Sequence, residues 1–281
     1  MLVNNKMNKK IGFMQGRFSP SINKMVQVFP WDSWRTEFMQ ANKNGFEIME
    51  WVIEQERLLE NPIMNETGRE EIRKLMEEFG VSVSSVTCDT FIQEPFYKAE
   101  GARAEQLLTE FKEIIKACSE IGVTKIVVPL VDKGSLDDQK QEMKLSQGLD
   151  FIRALLIEKR LVIAFESDFP PERLKSFISG FDDKAYGINY DVGNSASLGF
   201  DFEEEITAYG DRIVNVHIKD RTLHGATVPL GSGNADISYV LRGLQKNGYQ
   251  GNYILQTARD FNGQDEIVLC KYRDMVASLI E

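Results

Sequence analysis

The strongest constraint on the fold of this 281-residue chain is a regular alternation of short apolar runs with segments of helical periodicity. Several runs are nearly continuous in Val, Ile and Phe, as expected for strands buried on both faces of a parallel sheet. Eight such runs occur, beginning with KIGFMQ at Lys10 and continuing with FEIMEW, VSVSSVTCD, KIVVPL, LVIAFES, YGINYD, IVNVHIKD and NYILQ. Their order predicts eight repeated β-then-α units.

The segments between the runs predict helices with one buried face. In AEQLLTEFKEIIKACSEIG, Leu107, Phe111 and Ile114 recur at helical spacing, and Gly122 follows as a stop signal. In ADISYVLRGLQKNG, Asp236 is placed to cap a helix. Further helices are predicted at about 31–43, 66–79, 141–158, 171–179, 202–209 and 263–280.

Eight such units without a linker or low-complexity segment predict one α/β domain over residues 1–281. The predicted architecture is a closed (β/α)8 TIM barrel, in which helices surround a parallel sheet. An open doubly wound sheet is the alternative. It is disfavoured because no GxGxxG motif follows the first run.

Composition argues against several classes of protein. The formal charge of −10 disfavours a nucleic-acid partner, because phosphates would be repelled. Three widely spaced cysteines form no CxxC pair, which argues against a structural zinc site or a disulfide framework. The N-terminal MLVNNKMNKK is polar, and no apolar run reaches the roughly 18 residues of a membrane-spanning helix. We therefore expect a cytoplasmic protein without a membrane partner; homo-oligomer formation stays open.

Three consecutive runs carry metal-ligating residue types at their carboxyl ends. The fifth ends with Glu166, the sixth with Asp191 and the seventh with His217. Singly, an acidic residue at a strand end is most often a cap or surface group, and a histidine in an apolar strand is most often core. Together they offer carboxylate and imidazole ligands for a divalent ion such as Mn, Co, Mg or Zn. Three ligands from different strands would leave positions open for a substrate.

Short motifs follow one another in a specific order along almost the whole chain. They are GFEIMEW, VIAFES, YDVGN, VHIKD and VPLGSGNADI, followed by GYQGNYILQ. In this order they resemble the sugar phosphate isomerase/epimerase superfamily with the xylose isomerase-like TIM barrel, which also includes endonuclease-IV-like proteins. The resemblance implies that barrel, and a small-molecule sugar or sugar phosphate as substrate.

The resemblance also implies a set of metal ligands. The superfamily's usual ligands would fall on Glu166, Asp191 and His217, and on a glutamate that ends the eighth strand. This chain has Gln256 at that last position. A glutamine can offer its carbonyl oxygen to a metal, but its amide is neutral and cannot act as a base near pH 7.

The glutamine matters for the reaction, because relatives that epimerise ketoses use the fifth- and eighth-strand glutamates to move protons on opposite faces of the substrate. Three answers stay open. Glu166 is the single base, and Lys219, Asp220, Arg259 or metal-bound water completes the proton path. Alternatively, isomerisation or dehydration replaces epimerisation, or the site binds a sugar without turning it over. We favour the first two, with Glu166, Lys219 and Gln256 as the catalytic residues.

Other residues near the same rim are candidates for substrate binding. Glu50 matches an acidic residue that closes the second strand in the superfamily, and Asn194 stands where relatives often carry a substrate-binding histidine. Arg17, Arg221 and Arg259 add positive charge for a phosphate or carboxylate. A surface ion pair explains Arg17 equally well.

Two further features close the description of the rim. The Gly231–Gly233 turn offers backbone N–H groups to an anion, although a plain turn before the next helix explains it equally well. Cys88 and Asp89 end the third run, where either could line a pocket, and inert packing is favoured for Cys88.

The function that fits these residues is a metal-dependent isomerase or epimerase of a sugar or sugar phosphate, with proton transfer next to a carbonyl. A dehydratase or lyase of the same fold and a catalytically silent sugar-binding protein are the alternatives. An apurinic endonuclease is disfavoured, because the chain has only two histidines and a net negative charge.

Overall fold

Eight parallel strands close into a barrel in this computed structural model, which describes residues 10–22, 25, 27–260 and 262–280. The strands are β1 (Ile11–Met14), β2 (Ile48–Ile53), β3 (Ser82–Cys88), β4 (Lys125–Leu130), β5 (Val162–Ser167), β6 (Tyr186–Asp191), β7 (Ile213–Ile218) and β8 (Tyr253–Leu255). Each pairs with its sequence neighbours, and β8 closes the barrel by pairing with β1. Closure brings the eight carboxyl ends to one rim, where this architecture places its active sites.

Helices follow the strands and cover the outside of the barrel. They are α1 (Trp34–Lys43), α2 (Glu66–Phe79), α3 (Thr90–Gln93), α4 (Gly101–Glu120), α5 (Gln139–Lys159), α6 (Pro171–Ser179), α7 (Val192–Leu198), α8 (Phe202–Tyr209), α9 (Ile237–Lys246) and α10 (Asp265–Leu279). Single-turn 3₁₀ helices lie at Leu58–Glu60, Pro62–Met64, Asp132–Gly134 and Gly210–Arg212.

Local sequence explains where several helices begin and end. Asn65 caps α2, because its side chain accepts a hydrogen bond from the N–H of Gly68. Asp236 caps α9 in the same way through Tyr239, as its position in the sequence predicts. Helix α2 ends at Gly80, whose φ of 64° lies in the left-handed region that glycine adopts without steric cost.

An aromatic cluster illustrates how the helices are attached to the barrel. The ring of Phe165 on β5 lies 5.4 Å from that of Phe177 on α6 and stacks 6.1 Å from that of Tyr186 on β6. Phe181 packs against Tyr186 at 5.2 Å. Pairs of this kind contribute about 0.5–1.5 kcal/mol beyond the area that they bury. The cluster therefore holds α6 against the strand that carries Glu166.

The predicted eight-stranded closed barrel is confirmed, and the open doubly wound sheet is excluded. Every predicted helix is present with ends within a few residues of the prediction. Sequence analysis missed the short helices α3 and α7 and a hairpin in which Asp220–Arg221 pairs with Thr227–Val228. These elements are too short to produce a periodic pattern. The assignment of residues 1–281 to one domain stays a prediction.

Residues 1–9 of the polar N-terminal segment MLVNNKMNKK lie outside the described residues. Across the part of the chain that the structure describes, every helix is too short or too polar to traverse a lipid bilayer.

Candidate active site

The three predicted metal ligands converge at the carboxyl rim of the barrel. Glu166 lies on β5, Asp191 ends β6 and His217 lies on β7, three strands that are neighbours in the sheet. One ligand atom from each lies within 4.8 Å of the others, and all three side chains are buried. His217 Nδ1 is 3.1 Å from Glu166 Oε2 and 3.8 Å from Asp191 Oδ2. The sequence prediction that these residues share one place is therefore confirmed, while their binding of a metal stays a prediction.

Glu50 fixes the orientation of the His217 ring by contacting its Nε2 atom. Its Oε1 lies 2.7 Å from His217 Nε2, and both side chains are completely inaccessible to solvent. Its Oε2 accepts hydrogen bonds from Ser85 at 2.6 Å and from Asn215 at 3.0 Å. Because Nε2 is engaged by Glu50, Nδ1 is the ring nitrogen that faces Glu166 and Asp191. Glu50, predicted to bind substrate, thus contacts the imidazole, away from the open end of the site.

Two asparagines that sequence analysis did not identify complete a polar layer inside the barrel. Asn189 donates to Glu166 Oε2 at 2.8 Å, and Asn215 donates to Asn189 Oδ1 at 2.9 Å. They stand two residues before Asp191 and His217, so they point to the same side of their strands. The two-residue period of a strand is the signal that could have identified them.

The buried ionisable groups of this polar layer shift one another's pKa values toward the charged forms. Burial alone would lower the pKa of His217, but the negative charge of Glu50 and hydrogen bonds to Glu166 and Glu50 raise that pKa to about 10. Burial alone would raise the pKa of Glu50, but the charge and hydrogen bond of His217 hold it below its usual value. The pKa of Glu166 is lowered in the same way, against burial, by His217 and Lys219.

Asp191 links the ligand cluster to helix α7. Its Oδ1 accepts the backbone N–H of Asn194 at 2.8 Å and so caps α7, while its Oδ2 lies 2.7 Å from the Lys219 ammonium. The Asn194 side chain donates to Glu166 Oε1 at 2.6 Å and accepts from Arg221 at 2.8 Å. The predicted site residues Asn194, Lys219 and Arg221 are therefore brought together with Glu166.

A cavity of about 350 Å³ opens at this rim. That volume lies in the range of small-molecule sites in proteins. The cavity is lined by Gln27, Thr87, Asp89, Ile92, Pro129, Val131, Asp132, Glu166, Asn194, Lys219, Arg221, Ala226, Thr227 and Gln256. Its wall therefore joins Glu166 and Gln256 to residues from the loops after β1, β3 and β4.

Gln256 lies immediately after β8 and faces this cavity. Its side-chain N–H donates to Gln27 Oε1 at 2.7 Å, and its backbone N–H donates to Ile218 at 3.0 Å. Among the described residues, its Oε1 has no hydrogen-bond partner although it is buried. A buried acceptor without a partner is costly unless a ligand satisfies it.

Two predicted substrate-binding arginines lie elsewhere. Arg17 is buried, donates from Nε to the Thr257 carbonyl at 3.1 Å, and has a pKa that burial and the nearby Arg259 lower to about 9. Arg259 donates to the carbonyls of Gly16 and Ser19 and lies 3.1 Å from Asp265. The structure places both guanidinium groups among the loops that follow β1 and β8, outside the lining of the cavity beside Glu166.

Of the two interpretations of the Gly231–Gly233 turn, the structure favours the plain turn over an anion site. The N–H groups of Gly231 and Gly233 donate to Asp220 Oδ2 at 2.9 and 2.8 Å, and Ala235 donates to Oδ1 at 3.0 Å. Asp220, which had been considered for the proton path, is fully buried and holds this turn in place. A carboxylate of the chain itself thus takes the donors that an anion would need.

Comparison with known proteins adds to this geometry. A family model described as xylose isomerase-like TIM barrel matches residues 38–268. The L-ribulose-5-phosphate 3-epimerase UlaE of Escherichia coli strain SMS-3-5 is 22% identical over 254 residues, which are 87% of this chain and 89% of that protein.

Solved structures with low identity share the fold. An L-ribulose 3-epimerase superposes with a TM-score of 0.73 at 14% identity, covering 96% of this chain and 94% of that one. The IOLI protein with a bound zinc atom superposes with a TM-score of 0.74 at 15% identity, covering 96% of this chain and 98% of that one.

Proposed function

Since this chain belongs to the xylose isomerase-like TIM barrel family, we propose that it is a metal-dependent epimerase or isomerase of a small sugar or sugar phosphate. One observation carries the proposal: Glu166 clusters with Asp191 and His217 and also lines a cavity large enough for such a substrate. Its relative UlaE is named an L-ribulose-5-phosphate 3-epimerase, which supports an epimerase over other reactions of the fold.

The donor set fits a divalent cation. Two carboxylates and one imidazole suit Mn, Co, Mg or Zn better than softer ions. His217 presents Nδ1 because Glu50 engages Nε2, the arrangement in which an outer carboxylate orients a metal-binding histidine. The Oε1 atom of Gln256, which has no hydrogen-bond partner among the described residues and lines the same cavity as Glu166, would supply a neutral fourth ligand. We therefore assign Glu166, Asp191, His217 and Gln256 as the residues that would hold the ion.

Glu166 is the candidate base for removing the proton on the carbon next to a carbonyl. Its pKa is held below the usual value for a glutamate, so the carboxyl group is ionised near neutral pH. Glu166 also lines the cavity. Hydrogen bonds from Asn189 and Asn194, one to each carboxylate oxygen, fix its plane. When bound, the metal would polarise the carbonyl and stabilise negative charge on its oxygen.

Lys219, Asn194 and Arg221 are the candidate substrate-orienting groups. All three line the cavity next to Glu166. The Lys219 ammonium, 2.7 Å from Asp191, can also donate to an oxygen that gains negative charge during enolisation. Arg221 is pinned by the Gly225 carbonyl and Asn194, so it presents a rigid polar edge to hydroxyl groups of a substrate.

The direct test is an assay of the purified protein with L-ribulose 5-phosphate and with L-ribulose, first stripped of metal by a chelator and then supplied with Mn²⁺. NMR of the products distinguishes a 3-epimer, an aldose isomer and a dehydration product. We expect metal-dependent formation of an epimer or aldose isomer. A dehydrated product would instead favour a lyase. Tight binding without any turnover of either probe would favour a silent sugar-binding protein and contradict the proposal.

A further inference from the structure

We propose that Asp89 is a second acid–base residue of this site and returns the proton that Glu166 removes, from the other side of the substrate. The inference rests on the proposed function and addresses the glutamine at position 256. Two observations support it: Asp89 lines the cavity, and a hydrogen bond from Gln27 holds its side chain there.

Asp89 directly follows β3 and lines the same cavity as Glu166 and Gln256. In the order of the closed sheet, β3 lies two places from β5, which carries Glu166, and four places from β7, which carries His217. A small ligand held by Glu166, Asp191 and His217 would therefore lie between that cluster and Asp89. Glu166 and Asp89 approach such a ligand from two different strands, and two carboxyl groups at different places around one substrate are what proton removal from one face and return on the other require.

Asp89 does not act as a helix cap, which is the usual structural role of an aspartate just before a helix. Asp89 precedes helix α3, yet its side chain makes no capping hydrogen bond. The side-chain contact that holds it is with Gln27, whose Nε2 donates to Asp89 Oδ2 at 2.9 Å. Its carboxylate is thus aimed at the cavity by a neighbouring amide, and it does not close the end of a helix.

Gln256 sets the direction of that amide. Its N–H group donates to Gln27 Oε1 at 2.7 Å, which leaves the N–H group of Gln27 pointing at Asp89. An ionised glutamate at position 256 has no N–H to donate, so it would draw the Gln27 N–H group toward itself and leave the Gln27 oxygen facing Asp89. A neutral amide at 256 is therefore the residue that keeps Asp89 in its hydrogen bond.

Burial raises the pKa of Asp89 and so favours its protonated form. Loss of solvent raises the pKa of its carboxyl to about 6, aided by the charges of Glu54 and Glu166 and opposed by the hydrogen bond from Gln27 and the charge of Lys219. A carboxyl group with this pKa is protonated in about half of the molecules at pH 6 and in about a tenth at pH 7, so the acid form is present near neutrality.

One turnover removes one proton from the substrate carbon and returns one proton to it. The Glu166 carboxylate accepts the proton from the carbon next to the carbonyl, the electron pair of the broken C–H bond forms a carbon–carbon double bond, and the π electron pair of the carbonyl moves to its oxygen, giving an enediolate. The Asp89 carboxylic acid then donates its proton to the same carbon from the other face, and the carbonyl re-forms. Glu166 ends protonated and Asp89 ionised, and exchange of one proton with water resets both groups.

The test follows L-ribulose 5-phosphate in D₂O with Mn²⁺ and measures two quantities, deuterium in the remaining substrate and formation of the epimer. Asp89→Asn keeps an acceptor for Gln27 but removes the ionisable group. We expect it to lower epimer formation about 10²–10⁴-fold while Glu166 still exchanges the substrate proton with deuterium from the original face. Asp89→Glu, which retains an acid, should recover part of the epimer formation.

Glu205→Gln is the matched control, because Glu205 is a buried carboxylate that does not line the cavity and instead accepts from the hydroxyl groups of Tyr190 and Tyr209. It should change neither quantity appreciably. Epimer formation at the wild-type rate in Asp89→Asn would overturn the inference. So would an equal loss of exchange and epimerisation in a folded, metal-loaded Asp89→Asn. Absence of exchange in the wild-type protein, with L-ribulose 5-phosphate and with L-ribulose alike, would instead overturn the proposed function on which the inference rests.

Discussion

Glu50 Oε1 lies 2.7 Å from His217 Nε2, and neither side chain is exposed to solvent. The two residues come from β2 and β7, which are not neighbours in the sheet, so the contact crosses the interior of the barrel. This cross-barrel contact determines which imidazole nitrogen faces Glu166 and Asp191. It makes Glu50 a positioning residue, whose effect is transmitted through His217.

Replacing Glu50 by glutamine should weaken binding of Mn²⁺ by about 10–100-fold, the usual cost of losing the carboxylate behind a metal-binding histidine. Isothermal titration of the chelator-treated protein with Mn²⁺ measures this affinity. Glu205→Gln is a matched control, because Glu205 is a buried carboxylate bonded to Tyr190 and Tyr209 outside the site. Equal Mn²⁺ affinity in Glu50→Gln and wild type would show that the contact does not position the histidine.

A bound divalent ion should stabilise the folded chain through Asp191. With Mn²⁺ at one hundred times its dissociation constant, linkage gives about 2.7 kcal/mol, or a rise in Tm of about 5–10 °C for a protein near this size. Asp191→Asn should abolish most of that rise. Thermal unfolding with and without Mn²⁺ provides the measurement. The ligand assignment does not survive if Asp191→Asn and wild type gain the same increment.

Substitutions at Gln256 should move metal affinity in opposite directions. Gln256→Glu adds a negative charge beside the ion and should tighten Mn²⁺ binding about tenfold, since affinity rises with ligand charge. Gln256→Ala removes the unpartnered Oε1 and leaves Gln27 Oε1 without its donor, so it should weaken metal and substrate binding. Titrations of both variants with Mn²⁺ decide the point. An unchanged affinity in Gln256→Ala would mean that this amide does not contact the ion.

The sequence predicted most of the barrel, because strands buried on both faces produce apolar runs that can be recognised one at a time. It also predicted that Glu166, Asp191 and His217 meet, because the carboxyl ends of neighbouring parallel strands share one rim. Both predictions needed only the residue types and the order of the strands.

Contacts across the barrel and between loops were less predictable. The pairing of Glu50 with His217 depends on barrel closure, and the link from Gln27 to Asp89 depends on how the loop after β1 folds over the rim. Asp220 illustrates the converse error. Its position after β7 suggested chemistry, but its carboxylate accepts the N–H groups of the following turn, which no local pattern in the sequence indicated.

Glu37 should make stability depend on pH. Burial raises the pKa of this carboxyl from an ordinary 4.5 to about 7, despite hydrogen bonds from the N–H groups of Gly16 and Phe18. Between these values the folded state binds more protons than the unfolded state, so the stability contributed by protonated Glu37 is complete below pH 4.5 and is lost as pH rises through about 7.

Glu37→Gln removes this titration and otherwise shifts stability by an amount that does not depend on pH. The free energy of unfolding of the variant relative to wild type should therefore increase by about 2.5 kcal/mol between pH 5 and pH 8. Urea unfolding at both pH values measures the difference. A constant difference across that range would show that Glu37 titrates normally in the folded chain.

The most direct test of the central claim is exchange of the carbon-bound proton next to the carbonyl of L-ribulose 5-phosphate in D₂O, compared between wild type, Glu166→Gln and the Glu205→Gln control at equal metal content. Glu166→Gln removes the base but keeps side-chain polarity, so exchange should fall about 10²–10⁴-fold while Glu205→Gln remains near wild type. Wild-type exchange that persists undiminished in Glu166→Gln would contradict the assignment of Glu166 as the base.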